Sequence, residues 1–212
     1  TAGLNSLFTE ITWWYPANSD FSNKAVSYNY AESGEVPGGV WALSTEARTS
    51  WMDSKVYEKP YATKFDTTGT GSFPTILGES GLGQTKYFQH EVGTDQRNED
   101  GSVTTITSSL QSYDFDLQGE EGTASKFVSV SRFLPDFKTI AGNATVTLAV
   151  KDFPSSTESS STHSPFTVTS STTKIDTRAR GRFVNVKIAN TAANESWRYG
   201  TLALDVKPDG GR

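Results

Sequence analysis

Few side chains in this sequence could do acid–base or nucleophilic chemistry. His90 and His163 are its only histidines and it has no cysteine, so disulfides, thiolate metal sites and cysteine nucleophiles are all excluded. A Ser-His-Asp arrangement would need one of the two imidazoles as its base. His163 falls in "PSSTESSSTHSP", residues 154–165, which reads as a solvated loop. His90 stands beside Glu91 in "YFQHEVG". Alternation along a strand would turn these neighbours to opposite faces, so a satisfied structural histidine is the favoured reading. Ser80 in "GESGLG" nearly meets the nucleophile-elbow pattern G-x-S-x-G, but Leu82 stands where the last glycine belongs and no helix follows.

Asp114 and Asp116 are two apart in "SYDFDL", on one strand face, with Glu120 and Glu121 close behind. Such a cluster could hold a hard cation. The calcium-loop spacing is missing, however, and an exposed acidic strand end explains the residues as well. The basic stretch "RARGR" is more distinctive. On a strand, Arg178, Arg180 and Arg182 would share one face at intervals of about 6.6–7 Å. A row of guanidinium groups suits bidentate pairing with carboxylates on another strand or subunit. Phosphate backbone is the sharper alternative. The chain carries 19 basic and 24 acidic residues, a net charge of −5, which favours protein contact. These three arginines are the candidate interface residues. No catalytic, cofactor-binding or metal residue is expected.

The elements that would position these groups read as strands. Apolar and polar residues alternate in "EITWWYP", "AVSYNY", "GVWALS", "TKYFQHEV", "KFVSVSRFLPDF", "TVTLAVKDF", "PFTVTSS", "RFVNVKIAN" and "GTLALDVKP". Between them lie clusters of Gly, Pro, Asn and Ser with turn chemistry. The best helical candidate, "STEARTSWMDSKVYE", is Ser/Thr-rich and fits a strand or a single turn equally well. An all-β, antiparallel fold is therefore expected, with helix in one or two short turns at most. Residues 1–122 read as propeller-like β blades and 123–212 as a separate antiparallel unit of sandwich type. Trp197 is expected to be buried against a terminal sheet, with Leu202, Leu204 and Val206 facing inward.

The chain is aromatic-rich, with five Trp, eight Tyr and twelve Phe. That composition points first to core and interface and second to a sugar-binding platform. No apolar run approaches the roughly 20 residues of a spanning helix. "TAGLNSLFTE" lacks the basic flank and apolar run of a signal peptide. The absence of cysteine suits assembly in a reducing cell interior.

Six short motifs then occur in order: "YFQHEVGTD", "SYDFDL", "SRFLPDF", "TVTLAVKDFP", "RARGR" and "ESWRYGTLALDVKPDGGR". Together they resemble the C-terminal part of the tail nozzle, tubular or hub structural proteins of short-tailed bacteriophages, and "EITWWYPANSDFSNKAVSYNY" resembles the segment before it. The resemblance spans most of the chain, residues 53–84 least. It implies a non-enzymatic virion protein with a propeller-like body and a C-terminal β unit, in a homo-oligomeric ring around the channel for DNA ejection. Its partners would be copies of itself, other tail or connector proteins, and DNA passing without sequence-specific binding. No cofactor and no membrane insertion are implied. The protein would be assembled in the bacterial cytoplasm and end in the viral tail, and residue 1 would lie inside a longer β body. The rival expectation is a carbohydrate-binding β domain that attaches to host-surface glycans.

Overall fold

The computed structural model describes residues 1–55, 57–66, 84–98, 100–116, 126–153, 161–163 and 165–211. Among them the chain is almost entirely antiparallel β, with a single 3-10 turn at Glu32–Gly34. Two compact units are formed, Thr1–Val92 and Gly93–Arg212. The division falls before Gly93, where residue 122 was expected: β10 and β11 pair with β18 of the second unit's sheet, while β8 and β9 pair with each other.

In the first unit, β1 (Ala2–Asn5), β2 (Glu10–Tyr15), β3 (Lys24–Asn29) and β4 (Val40–Ser44) make an up-and-down sheet in chain order. A second meander joins β5 (Ser50–Met52), β6 (Tyr61–Asp66) and β7 (Gln84–Gln89). Each sheet has two kinds of face. The register Ala2↔Trp13↔Val26↔Leu43 and Leu4↔Ile11↔Tyr28↔Trp41 puts these eight residues on one side of the first sheet. Gly3, Thr12, Trp14, Ala25 and Ser27 take the other side.

That other side meets the second sheet. Trp14 and Ala25 are buried there, and the Trp14 and Trp51 rings lie 5.2 Å apart. The Trp51 indole donates to the Leu4 carbonyl at 2.8 Å. Gly3 lies so close beneath Trp51 that any Cβ would strike the indole. Ala62 and Phe88 are opposite Trp51 in the register and share its inward direction.

The second unit contains β8 (Gln96–Arg97), β9 (Val103–Thr104), β10 (Ser108–Gln111), β11 (Phe115–Asp116), β12 (Lys126–Leu134), β13 (Phe137–Ala141) and β14 (Ala144–Lys151). It continues with β15 (Ser161–Thr162), β16 (Phe166–Val168), β17 (Ile175–Gly181), β18 (Phe183–Asn190), β19 (Ser196–Tyr199) and β20 (Ala203–Gly211). One sheet centres on β14 and β18, with β10 and β11 against β18 and β15 and β16 against β14. Another runs β17-β12-β20, and β13 pairs with β19.

Alternation builds the core between these sheets. Ala144, Val146, Leu148 and Val150 of β14, and Val184, Val186 and Ile188 of β18, bury every second side chain. They pack on Val130, Phe133, Ile175 and Ala179 from the facing sheet. Trp197 is half-buried at the edge of this core, in company with Phe137, Leu202, Leu204 and Val206. Its indole meets Phe137 edge-on at 6.4 Å.

Two bends shape this unit. The ladder of β12 with β20 continues as that of β13 with β19 after a corner at Pro135–Asp136. There Asp136 accepts the Gly200 N–H at 2.7 Å through its carbonyl and the Thr201 N–H at 2.8 Å through its carboxylate. A Cβ on Gly200 would come within 3.1 Å of the Asp136 carbonyl and closer still to its carboxylate, so a side chain here would displace the carboxylate that holds Thr201. At the other bend, one residue, Arg182, separates β17 in one sheet from β18 in the other. Gly181 packs there against Val150 and the Lys151 backbone with no room for a side chain.

Candidate functional site

The arginine strand comes first. Arg178 and Arg180 point outward from β17, where buried Ala179 and Gly181 alternate with them. Arg182 does not continue the row. The chain changes sheet after Gly181, and Arg182 sits half-buried in the link, its N–H bound to the Lys151 carbonyl at 2.9 Å. The expected line of three guanidinium groups is therefore two on a face and one at a corner.

Phe127 draws two of them together. It lies on the outer face of β12, yet is only 3% exposed. Arg180 covers its ring at 4.1 Å and Arg182 at 5.2 Å, while Arg182 also lies 5.4 Å from the Phe153 ring. Arg180 Nε further donates to Asp209 Oδ2 at 2.6 Å, reaching diagonally across β12 to β20. Arg178 makes no ion pair among the described residues. Both members of the Arg180–Asp209 pair are about half exposed. Exposed ion pairs contribute roughly 0–1 kcal/mol and an exposed cation–π contact about 0.5–1. Arg180→Ala is therefore expected to lower stability in urea by about 1 kcal/mol. A loss above about 3 kcal/mol would mean that water has been excluded from the pair.

Of the acidic cluster, Asp114 and Asp116 are among the described residues. Asp114 is held by Lys151 at 2.7 Å, with both side chains largely covered. Asp116 is in β11, paired in the ladder with Phe183. Beside the Asp114–Lys151 pair is an open polar hollow of about 340 Å³ with Gln111, Asn185 and Lys187 on its walls. Among the described residues no three His, Asp or Glu side chains are grouped to hold a metal ion. Glu120, Glu121 and Ser80 lie outside the described residues. His163 follows β15, its N–H bound to the Leu148 carbonyl at 2.9 Å, so this end of the polar stretch joins a sheet edge.

His90 belongs to a buried polar group in the first unit that was not legible in the sequence. Arg48 Nε donates to His90 Nε2 at 2.8 Å, and Arg48 Nη2 pairs with Glu46 Oε1 at 2.7 Å. The same guanidinium lies 4.3 Å over Phe88, and the Trp51 ring is 4.7 Å from the imidazole. Because Nε2 accepts from Arg48, the neutral ring carries its proton on Nδ1, facing Glu46 at 3.8 Å, beyond hydrogen-bond reach. The lone pair that a general base would use is already occupied. Neither Glu46 nor Arg48 stands out in "STEARTS", where no period marks a buried charge.

Burial, with the Arg48 charge adding to it, pushes the His90 pKa down to about 4 from an ordinary 6.5. The unfolded chain then binds a proton that the folded chain refuses. This contribution to stability is complete above pH 6.5 and lost as pH falls towards 4. Allowing for the partial exposure of the ring and for Glu46 beside it, the loss is on the order of 2–3 kcal/mol. Glu10, which burial and then Glu91 and Glu32 push upward, has the opposite sign. The difference between wild type and His90→Phe across pH 4–7 isolates the histidine: the wild type should fall more steeply, and equal slopes would contradict this reading.

Compared with known proteins, the chain matches no protein-family model and no curated protein.

Proposed function

We propose that this chain is a non-enzymatic structural protein of a short-tailed bacteriophage virion, a tail nozzle or hub component that associates with copies of itself around the DNA exit channel. The observation that carries this reading is where four of the six ordered motifs fall. "SRFLPDF" and "ESWRYGTLALDV" form the bent strand pair with its Asp136–Gly200 corner. "TVTLAVKDFP" supplies the central buried strand, and "RARGR" the crossing between sheets. These are the parts that set a scaffold's shape. The propeller-like body remains part of the proposal, supported by the up-and-down order of the first unit's two sheets.

The net charge of −5 suits a conduit, because each phosphate held by a basic side chain adds binding free energy to passing DNA. Arg178, outward and without an ion pair among the described residues, is assigned to carboxylate pairing with a neighbouring tail subunit. Arg180 and Arg182 brace the same surface through Phe127.

The rival reading, a carbohydrate-binding domain, has in its favour the Tyr28 and Trp41 rings, 4.5 Å apart on an open sheet face. Immunogold labelling of phage particles with antibody to this chain, together with a glycan array, separates the two. Label at the tail with an empty array supports the structural protein. Glycan binding without tail label overturns it.

A further inference from the structure

Each sheet of the first unit has its inner face on the other sheet, so their outer faces point in opposite directions, and both are rich in large side chains. The outer face of β1–β4 carries Leu4, Ile11, Trp13, Val26, Trp41 and Leu43 in register across the four strands. Leu43 is 80% exposed and Trp41 54%, both on the edge strand β4. The outer face of β5–β7 carries Met52, Tyr61, Thr63 and Tyr87, by the register Met52↔Tyr61 and Thr63↔Tyr87. Tyr61 contacts Tyr57 at 5.3 Å and Tyr87 at 5.7 Å, and Tyr87 is 66% exposed. An open hollow of about 200 Å³ lies on this face between Met52, Tyr61, Thr63 and Tyr87.

We infer that copies of this chain associate head to tail through these faces, the β1–β4 face of one copy seating on the β5–β7 face of the next, with Leu43 entering the hollow. This rests on the self-association in the proposed function and names the surfaces that carry it.

Area is the first ground. At ~200 Å² per large side chain, the residues at least one-third exposed on the β1–β4 face leave roughly 500 Å² of mostly apolar surface open. That is about the apolar share of the ~800 Å² that each partner gives to a standard interface. It also lies in the range of patches on monomers that commonly serve a function.

Charge is the second. Lys24, opposite Tyr15, is the one charged residue in register on the β1–β4 face. Ser50, Met52, Tyr61, Thr63, Tyr87 and Gln89 place no charged group on the other. Neither face repels a copy of its partner. Aliphatic Leu4, Ile11, Val26 and Leu43 lie among the aromatics, which suits a packed sheet better than a sugar ring. Two different faces in contact make a heterologous association, which closes into a ring when the rotation per copy allows.

Sedimentation velocity on the full chain tests this with Leu43→Glu and Tyr87→Glu, each checked for its β circular dichroism. The wild type should form species larger than a dimer. Each variant alone should associate at least tenfold more weakly. Mixed in equal amounts, the two should form dimers and stop there, because only one intact face of each can meet. Three results overturn the inference: a wild type that stays monomeric, variants that assemble as the wild type does, or Leu43→Glu alone losing association while Tyr87→Glu keeps it.

Should glutamate disturb a sheet, Leu43→Cys combined with Thr63→Cys introduces the only thiols in the chain. A short bismaleimide should then give a cross-linked ladder beyond dimer, and monomer alone would count against the faces. The proposed function is tested separately. A monomeric chain found in the tail overturns the faces and leaves the virion reading, and a self-assembling chain absent from the tail does the reverse.

Discussion

Replacing Phe133 with alanine is expected to destabilise the second unit by about 3–5 kcal/mol, the usual range for a fully buried phenylalanine. The side chain has no exposure at all and sits among Val130, Ile175 and the buried residues of β14 and β18. Truncation removes its transfer free energy and leaves a cavity between two sheets whose backbones are fixed by long ladders. Hydrogen exchange in 126–151 and 175–190 should accelerate by the corresponding factor, more than a hundredfold. Tyr113→Ala, at a position 95% exposed, is the control and should stay within about 0.5 kcal/mol. A similar small loss at Phe133 would mean that the two sheets do not share the core described.

A loss of about 3–5 kcal/mol is also expected for Trp14→Ala in the first unit. Trp14 is 3% exposed, stacks on Trp51 at 5.2 Å and directs its indole N–H to Glu46 at 3.4 Å. Its removal takes away one of the two tryptophans between the sheets and a hydrogen-bond donor to Glu46, which pairs with the buried Arg48. Protection in 10–15, 24–29 and 84–89 should fall together. Leu43→Ala, on the open face of the same sheet, should leave that protection unchanged. If the two substitutions behaved alike, the assignment of inner and outer faces would fail.

The sequence carried the fold class because strict alternation survives in β14 and β18. Val146, Leu148, Val150, Val184, Val186 and Ile188 face inward as their spacing requires. In β12 the same rule misleads. Plain alternation would put Phe127 and Phe133 on one face. A register shift between Val130 and Arg132 turns Phe133 into the core, while Phe127 stays outside beneath two guanidinium groups. Nothing local marks that shift, because it is set by pairing with β17 and β20.

The unit boundary was misplaced for a related reason. Strands of two to four residues in 96–116 have too few positions to show a period, and for β10 and β11 only their partner β18 reveals where they belong. The arginine row was legible as far as Gly181. Beyond it, a change of sheet within one residue ended the alternation that the spacing of Arg182 assumed. Glu46 and Arg48 lie more than forty residues from His90, so their meeting arises from the packing of two sheets and from no pattern along the chain.

A scaffold of this kind ties its parts into one functional reading. A bent pair of ladders and a one-residue crossing shape the second unit, a polar group between sheets ties the first, and one sheet of the first unit keeps an open apolar face. The most direct measurement is a cryo-EM reconstruction of the intact phage tail in which side-chain density identifies this chain. The account predicts repeated copies in a closed ring around the axial channel, adjoining one another through contacts that cover Trp41 and Leu43. Density that places the chain outside the tail, or as isolated copies bound to surface glycans with those residues on the sugar, would contradict it.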